Sequence, residues 1–192
     1  YQDQLAAFPQ TVWVSEEILR DLADTQTPQG IVAVLQKEEV GLPDFSQGKF
    51  LFLEDVQDPG NVGTMIRTAD AAGFTGVIVS DKSADLYSLK TLRSMQGSHF
   101  HLPIYRMTPA DFVEEAKKSN LPILATTLSK ESKDYRELSP LENFALVMGN
   151  EGQGISSIMA ESADQLVHIG MKGRAESLNV AVAAGVLMFF FS

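Results

Sequence analysis

From Phe50 onward the chain alternates short apolar runs with stretches of helical periodicity, and no other feature constrains its fold so tightly. FLFLEDV (50–56), GVIVS (76–80), HLPIY (101–105), PILATTL (122–128), FALVMG (144–149) and QLVHIGM (165–171) read as strands, most of them apolar enough to be covered on both faces. Between them VGTMIRTADAAG (62–73), SLKTLRSM (88–95), PADFVEEAKKSN (109–120) and ISSIMAESA (155–163) read as helices, with Gly73 and Asn120 placed to stop two of them. Such alternation predicts an α/β fold with a largely parallel sheet flanked by helices. The final run, VAVAAGVLMFFF (180–191), is too short for a bilayer, which needs about 20 residues, and reads as a buried terminal helix.

The first 48 residues differ in character. They hold eight acids against two bases and so carry six of the ten net negative charges. TVWVS (11–15) and GIVAVLQ (30–36) read as strands flanking a short helix EEILRDLAD (16–24) capped by Ser15, and KEEVGLPDFSQGK (37–49) reads as a linker. YQDQLAAFPQTVWV lacks the basic start and continuous apolar core of a secretory signal. The chain has no cysteine, which removes disulfides and thiolate metal sites and fits a reducing cytoplasm. An acidic chain is poorly matched to simple electrostatic binding of nucleic acid, although residues 86–108 form a locally basic strip with Lys90, Arg93, His99, His101 and Arg106 and no acid.

Three polar stretches follow predicted strands, where parallel sheets bind ligands. In 53–74, Asp58-Pro59-Gly60-Asn61 turns into a helix; Asn61 either caps it or faces a ligand, and Arg67 either pairs with Asp70 or points elsewhere. In LVMGNEGQGIS (146–156) the phosphate-loop pattern places Ile155 where a lysine is needed, and the glycine spacing is wrong for a dinucleotide. That loop reads as built for close backbone approach to a ligand without a triphosphate, with Glu151 facing a cleft or capping the helix near Ile155. In HIGMKGRAESLNVAVAAG (168–185), Ser177 reads as an N-cap, whereas capping alone does not explain Asn179.

Together DPGNVGTMIRTADAAGF, LVMGNEGQGIS and IGMKGRAESLNVAVAAG resemble, in order and separation, the three motifs of the SpoU/TrmH group of RNA ribose 2′-O-methyltransferases within the SPOUT superfamily. SLKTLRSMQGSHFHLPI is similar to the segment between the first two, and TPQGIVAV to the junction after an N-terminal RNA-binding domain. The resemblance implies residues 1–37 as the tail of that domain, 38–49 as linker and 50–192 as a SPOUT domain with a deep C-terminal trefoil knot. It implies S-adenosylmethionine as methyl donor without a metal, a homodimer, an RNA substrate (ribosomal before transfer RNA) and no membrane. The catalytic residues it implies are Asn61, Arg67, Glu151, Ser177 and Asn179, with Arg67 clamping the target phosphate. For the cofactor it implies Thr126, Gly149, Asn150, Gly154, Ile169, Met171, Ser177 and Leu178, mostly through backbone groups. Family members often carry proline where this chain has Gly170. A SPOUT-fold RNA-binding protein without catalysis is the alternative from another class.

Overall fold

The computed structural model describes residues 8, 10–23, 25, 27–37 and 40–192, and its contacts divide the chain into units 1–39 and 40–192. In the first unit, α1 (Glu16–Ala23) forms where expected, the Ile18 amide donating to Ser15 Oγ at 3.4 Å. Asp24 of that predicted helix, and Glu38 and Glu39 of the predicted linker, lie outside the described residues. The expected strands at 11–15 and 30–36 do not form. A strand needs a neighbouring strand to take its backbone hydrogen bonds; among the described residues neither run joins a ladder, and Val12, Trp13, Val34 and Leu35 are exposed.

The second unit is the α/β body. Its strands are β1 (Lys49–Leu53), β2 (Gly76–Val79), β3 (Ile104–Arg106), β4 (Ile123–Thr126), β5 (Lys133–Asp134), β6 (Phe144–Met148) and β7 (Gln165–His168). Its helices are α2 (Pro59–Ala71), α3 (Leu89–Met95), α4 (Pro109–Lys118), α5 (Ser157–Ser162) and α6 (Val180–Phe191). The seven strands form one parallel sheet in the order β3-β2-β1-β6-β4-β7-β5. Because successive side chains point to opposite faces, each central strand feeds two cores. Leu51, Leu53, Leu146 and Met148 meet α2 and α6, while Phe50, Phe52, Ala145 and Val147 meet α4 and α5.

Chain punctuation follows the sequence closely. Asp58 caps α2 with Pro59 in its first turn, and Gly73 at φ 72° ends it, sending its amide back to Asp70. Ser88, Thr108 and Ser156 cap α3, α4 and α5 through their hydroxyls. Within the stretch read as linker, Phe45 is buried and packs edge-on against Phe50 and Phe112. The terminal helix departs from expectation. Ala181, Ala184, Leu187, Met188 and Phe191 are buried, but Val182, Val186 and Phe189 are 53%, 37% and 58% exposed. The sheet covers one side of α6 only, so a helix apolar all round is left with a bare stripe. Among the described residues no helix is long and apolar enough to cross a membrane.

Candidate active site

The site lies beyond the C-terminal ends of β1, β4, β6 and β7, where four loops converge. At α2 the Asp58 carboxylate accepts the Asn61 amide at 2.9 Å and the Lys90 ammonium at 2.9 Å. Those contacts, with Lys90 foremost, hold the Asp58 carboxyl below its ordinary range. Asp58 is therefore the cap, and the Asn61 side chain is free for other partners. Its Nδ2 donates to Glu151 Oε1 at 3.0 Å, and its Oδ1 accepts from Asn179 Nδ2 at 3.1 Å. Asn179 has two duties: its own Oδ1 accepts the Ala181 and Val182 amides, making it, and not Ser177, the N-cap of α6.

Glu151 caps no helix; Ser156 does that for α5. Burial pushes the Glu151 carboxyl up, but hydrogen bonds from the Asn61 side chain and the Glu151, Gln57 and Asp58 amides outweigh it and leave the group below the ordinary carboxylate range. Glu151 is thus an anion at neutral pH, engaged as an acceptor.

The glycine loop closes on itself. The Asn150 and Gly154 amides exchange hydrogen bonds with each other's carbonyls at 2.9 Å, and Asn150 Oδ1 accepts the Gly152 and Gln153 amides at 2.9 Å. Donors that would cradle a phosphate are consumed inside the turn. A Cβ on Gly149 would lie 2.4 Å from the Gly154 carbonyl carbon, so the turn's own backbone packing also requires glycine there.

Beside this loop opens a cavity of about 790 Å³, within the range of small-molecule sites. Thr126, Gly149, Asn150, Gly154, Ile169, Met171, Ser177 and Leu178 all line it, as do Glu151 and Asn179. Asn61 reaches it only through Glu151 and Asn179. Arg67 stands apart. It follows Asn61 by six residues, about 240° around α2, is exposed, and its side chain makes no ion pair or hydrogen bond among the described residues. Asp70 pairs with His101 Nδ1 at 3.2 Å and not with Arg67.

Three features escaped the sequence. His168 lines the cavity, and its Nδ1 lies 2.9 Å from Ser132 Oγ. The Ser132 hydroxyl already donates to the Ser129 carbonyl at 2.6 Å, so in the contact with His168 the ring Nδ1 is the donor and Ser132 Oγ the acceptor. A lone histidine gives no motif by which to find it. Gly170 donates its amide to Asp134 Oδ2 at 3.1 Å, and Arg136 clasps the same carboxylate through two hydrogen bonds of 2.7 Å. Glu54, directly after β1, is buried beneath the glycine loop and accepts the Ser156 amide at 3.0 Å; its only signal was an acid ending an apolar run.

The SpoU rRNA methylase family model matches residues 48–189. The chain belongs to the SpoU rRNA methylase family. Among relatives, the chain is 43% identical to the Bacillus subtilis 23S rRNA (guanosine(2553)-2′-O)-methyltransferase RlmP over 180 residues, 94% of this chain and 71% of that one. Among solved structures, the S-adenosylmethionine-bound rRNA methyltransferase from Sinorhizobium meliloti superimposes with a TM-score of 0.89 at 34% identity, over 98% of this chain and 75% of that one. The SpoU methyltransferase AviRb from Streptomyces viridochromogenes, in complex with the same cofactor, gives 0.82 at 31% identity over 97% and 75%. This SpoU chain shares the α/β fold with its parallel sheet, and S-adenosylmethionine is the cofactor that those structures contain.

Proposed function

We propose that this protein transfers a methyl group from S-adenosylmethionine to a ribose 2′-hydroxyl of RNA, with ribosomal RNA as the substrate class, as the RlmP relative's name has it. One observation carries the reading. The cavity and the Glu151–Asn61–Asn179 chain share two residues, so a ligand-sized pocket opens directly onto an ordered polar cluster.

The cavity suits the cofactor. Ile169, Leu178, Val167 and Leu187 supply apolar wall for a neutral adenine, and its phosphate-binding amides are already spent. When bound, the sulfonium supplies an electrophilic methyl, and the protein's own task is to place a hydroxyl in line and manage its proton. Glu151, as an anion, fixes the Asn61 amide; Asn179 fixes its other end. The pair thereby holds one donor and one acceptor orientation at the mouth of the cavity. Arg67, exposed and unpaired, is suited to clamp a phosphate beside the target ribose with its planar fork. Ser177 lines the cavity with a hydroxyl that no cap claims.

Residues 1–37 are read as the tail of an RNA-binding domain. The knot is supported by the sheet order: β7 inserts between β4 and β5, and the chain then returns to pack α6 on α2. The bare stripe of Val182, Val186 and Phe189 supports a homodimer.

Calorimetric titration with S-adenosylmethionine, ATP and NAD, followed by tritiated methyl transfer to unmodified 23S rRNA and nucleoside analysis, tests the proposal. Binding of the first alone and a 2′-O-methylnucleoside are expected. ATP or NAD binding overturns the reading; cofactor binding without transfer to 23S rRNA or tRNA establishes the non-catalytic alternative, and transfer to tRNA alone replaces the substrate.

A further inference from the structure

Glu54 is 2% exposed, yet it carries a carboxylate. One oxygen, Oε2, accepts the Ser156 amide at 3.0 Å; the other, Oε1, is buried with no partner among the described residues. A carboxylate so placed is a liability to folding unless its contact does something an apolar side chain cannot. Its surroundings show what that is. Glu54 follows the last residue of β1, and its amide continues the sheet by donating to Met148, directly before the glycine loop. The next residue, Asp55, sits at φ 56° and offers its carbonyl to Asn150 Nδ2 at 2.8 Å. Asp55 is itself tied down, its amide and carboxylate both bonded to Ser80 Oγ at 2.7 Å. Entry and exit of the loop, Asn150 and Ser156, are therefore both held from the end of one strand.

We infer that Glu54 is a positioning residue for methyl transfer: its buried carboxylate pins the exit of the glycine loop at Ser156, and so fixes Glu151 opposite Asn61. The inference rests on the methyltransferase reading for its catalytic consequence, but not for the latch itself. Asn150 anchors the entry through Asp55, and the loop carries Glu151 between those two anchors. Releasing Ser156 leaves the closed Asn150–Gly154 turn, with Glu151 in it, tied to the end of β1 through Asn150 alone.

Two independent variants test the latch from opposite sides. Glu54→Leu removes the acceptor, and Glu54→Gln keeps one. Ser156→Pro removes the donor at a backbone φ of −69° that proline adopts, and Ser156→Ala removes only the helix-capping hydroxyl. Hydrogen exchange of the Gly152 to Gly154 amides is followed in the cofactor-free protein. Glu54→Leu and Ser156→Pro are expected to speed it by about tenfold or more, while Glu54→Gln and Ser156→Ala stay near wild type. Exchange in β1 and β6 should not change, which separates loosening of the loop from general destabilisation. Unchanged loop exchange in both Glu54→Leu and Ser156→Pro overturns the latch. The catalytic half is read by turnover on 23S rRNA at saturating cofactor. Glu54→Leu should lower it about tenfold, with little further loss when combined with Glu151→Ala. Full additivity of those two variants overturns the coupling to Glu151. A wild-type chain that binds no S-adenosylmethionine overturns the catalytic half together with the functional reading, while the exchange result still decides the latch.

Discussion

Asn61 Nδ2 and Glu151 Oε1 lie 3.0 Å apart although 90 residues separate them in the chain. The bond joins the cap region of α2 to the glycine loop after β6, and it gives the asparagine amide one orientation. Because Asn61 is also bonded to Asn179, substitutions along this chain should not be additive.

Asn179 combines a structural and a functional duty that can be separated. Asn179→Ser keeps a good N-cap for α6 but loses the reach to Asn61. Its unfolding free energy should stay within about 0.5 kcal/mol of wild type, whereas Asn179→Ala should lose about 1 kcal/mol. Both variants should lose methyl transfer to a similar degree, about tenfold or more. Chemical denaturation and tritium transfer read the two effects.

Glu151 sets a pH dependence. Its folded carboxyl is held below the ordinary range, so its contribution to stability is fully present above the ordinary value of about 4.3 and is lost as pH falls through the lowered folded value. Wild type should melt higher than Glu151→Gln at pH 6, and the gap should close as the pH is taken below about 4. Calorimetric melting of the two proteins from pH 3 to 6 checks the sign.

The three motifs were legible one at a time, and so was most of the sheet. Strands covered on both faces leave uninterrupted apolar runs, which is why FLFLEDV and FALVMG announce themselves. The two residues of β5, Lys133 and Asp134, are too few for any periodicity. TVWVS and GIVAVLQ mislead because apolarity encodes a wish to be covered, not the presence of a neighbour. Capping was left open at the start of α2 and misassigned at the start of α6, where two polar residues competed for one helix end. Asp58 outranked Asn61, and Asn179 outranked Ser177, since only tertiary placement shows which oxygen faces the free amides.

Gly170 predicts a reversal. Restoring the proline that family members often carry would remove the amide that Asp134 accepts, and a Cβ there would lie 2.5 Å from Asp134 Oδ2. Gly170→Pro should destabilise the protein by about 1–3 kcal/mol and weaken cofactor affinity, because Ile169 and Met171 flank it on the cavity wall. Denaturation and calorimetry measure both.

Arg67 lies outside the cavity lining, so its contribution should be confined to the RNA. Arg67→Lys is expected to leave S-adenosylmethionine affinity within about twofold and to cut turnover about tenfold or more through loss of the planar fork. Near wild-type turnover would remove it from the phosphate-clamp role.

The bare stripe on α6 tests the homodimer. Phe189→Asp places a charge at its exposed end without touching the buried Leu187, Met188 or Phe191. Sedimentation should show the wild type as a dimer and the variant shifted toward monomer; a monomeric wild type would dismiss the homodimer.

The spread of the cavity lining along the chain carries a consequence for synthesis. Walls come from Thr126 through Leu187, and Asn61 waits for a partner 118 residues downstream. At ordinary translation speeds that interval lasts about 6 s or longer. Within it the lining arrives piecemeal, Thr126 first, and Asn179 completes the polar chain only at its end. The pocket is complete only once Leu187 has been made, so a nascent chain that stops short of it has no closed site.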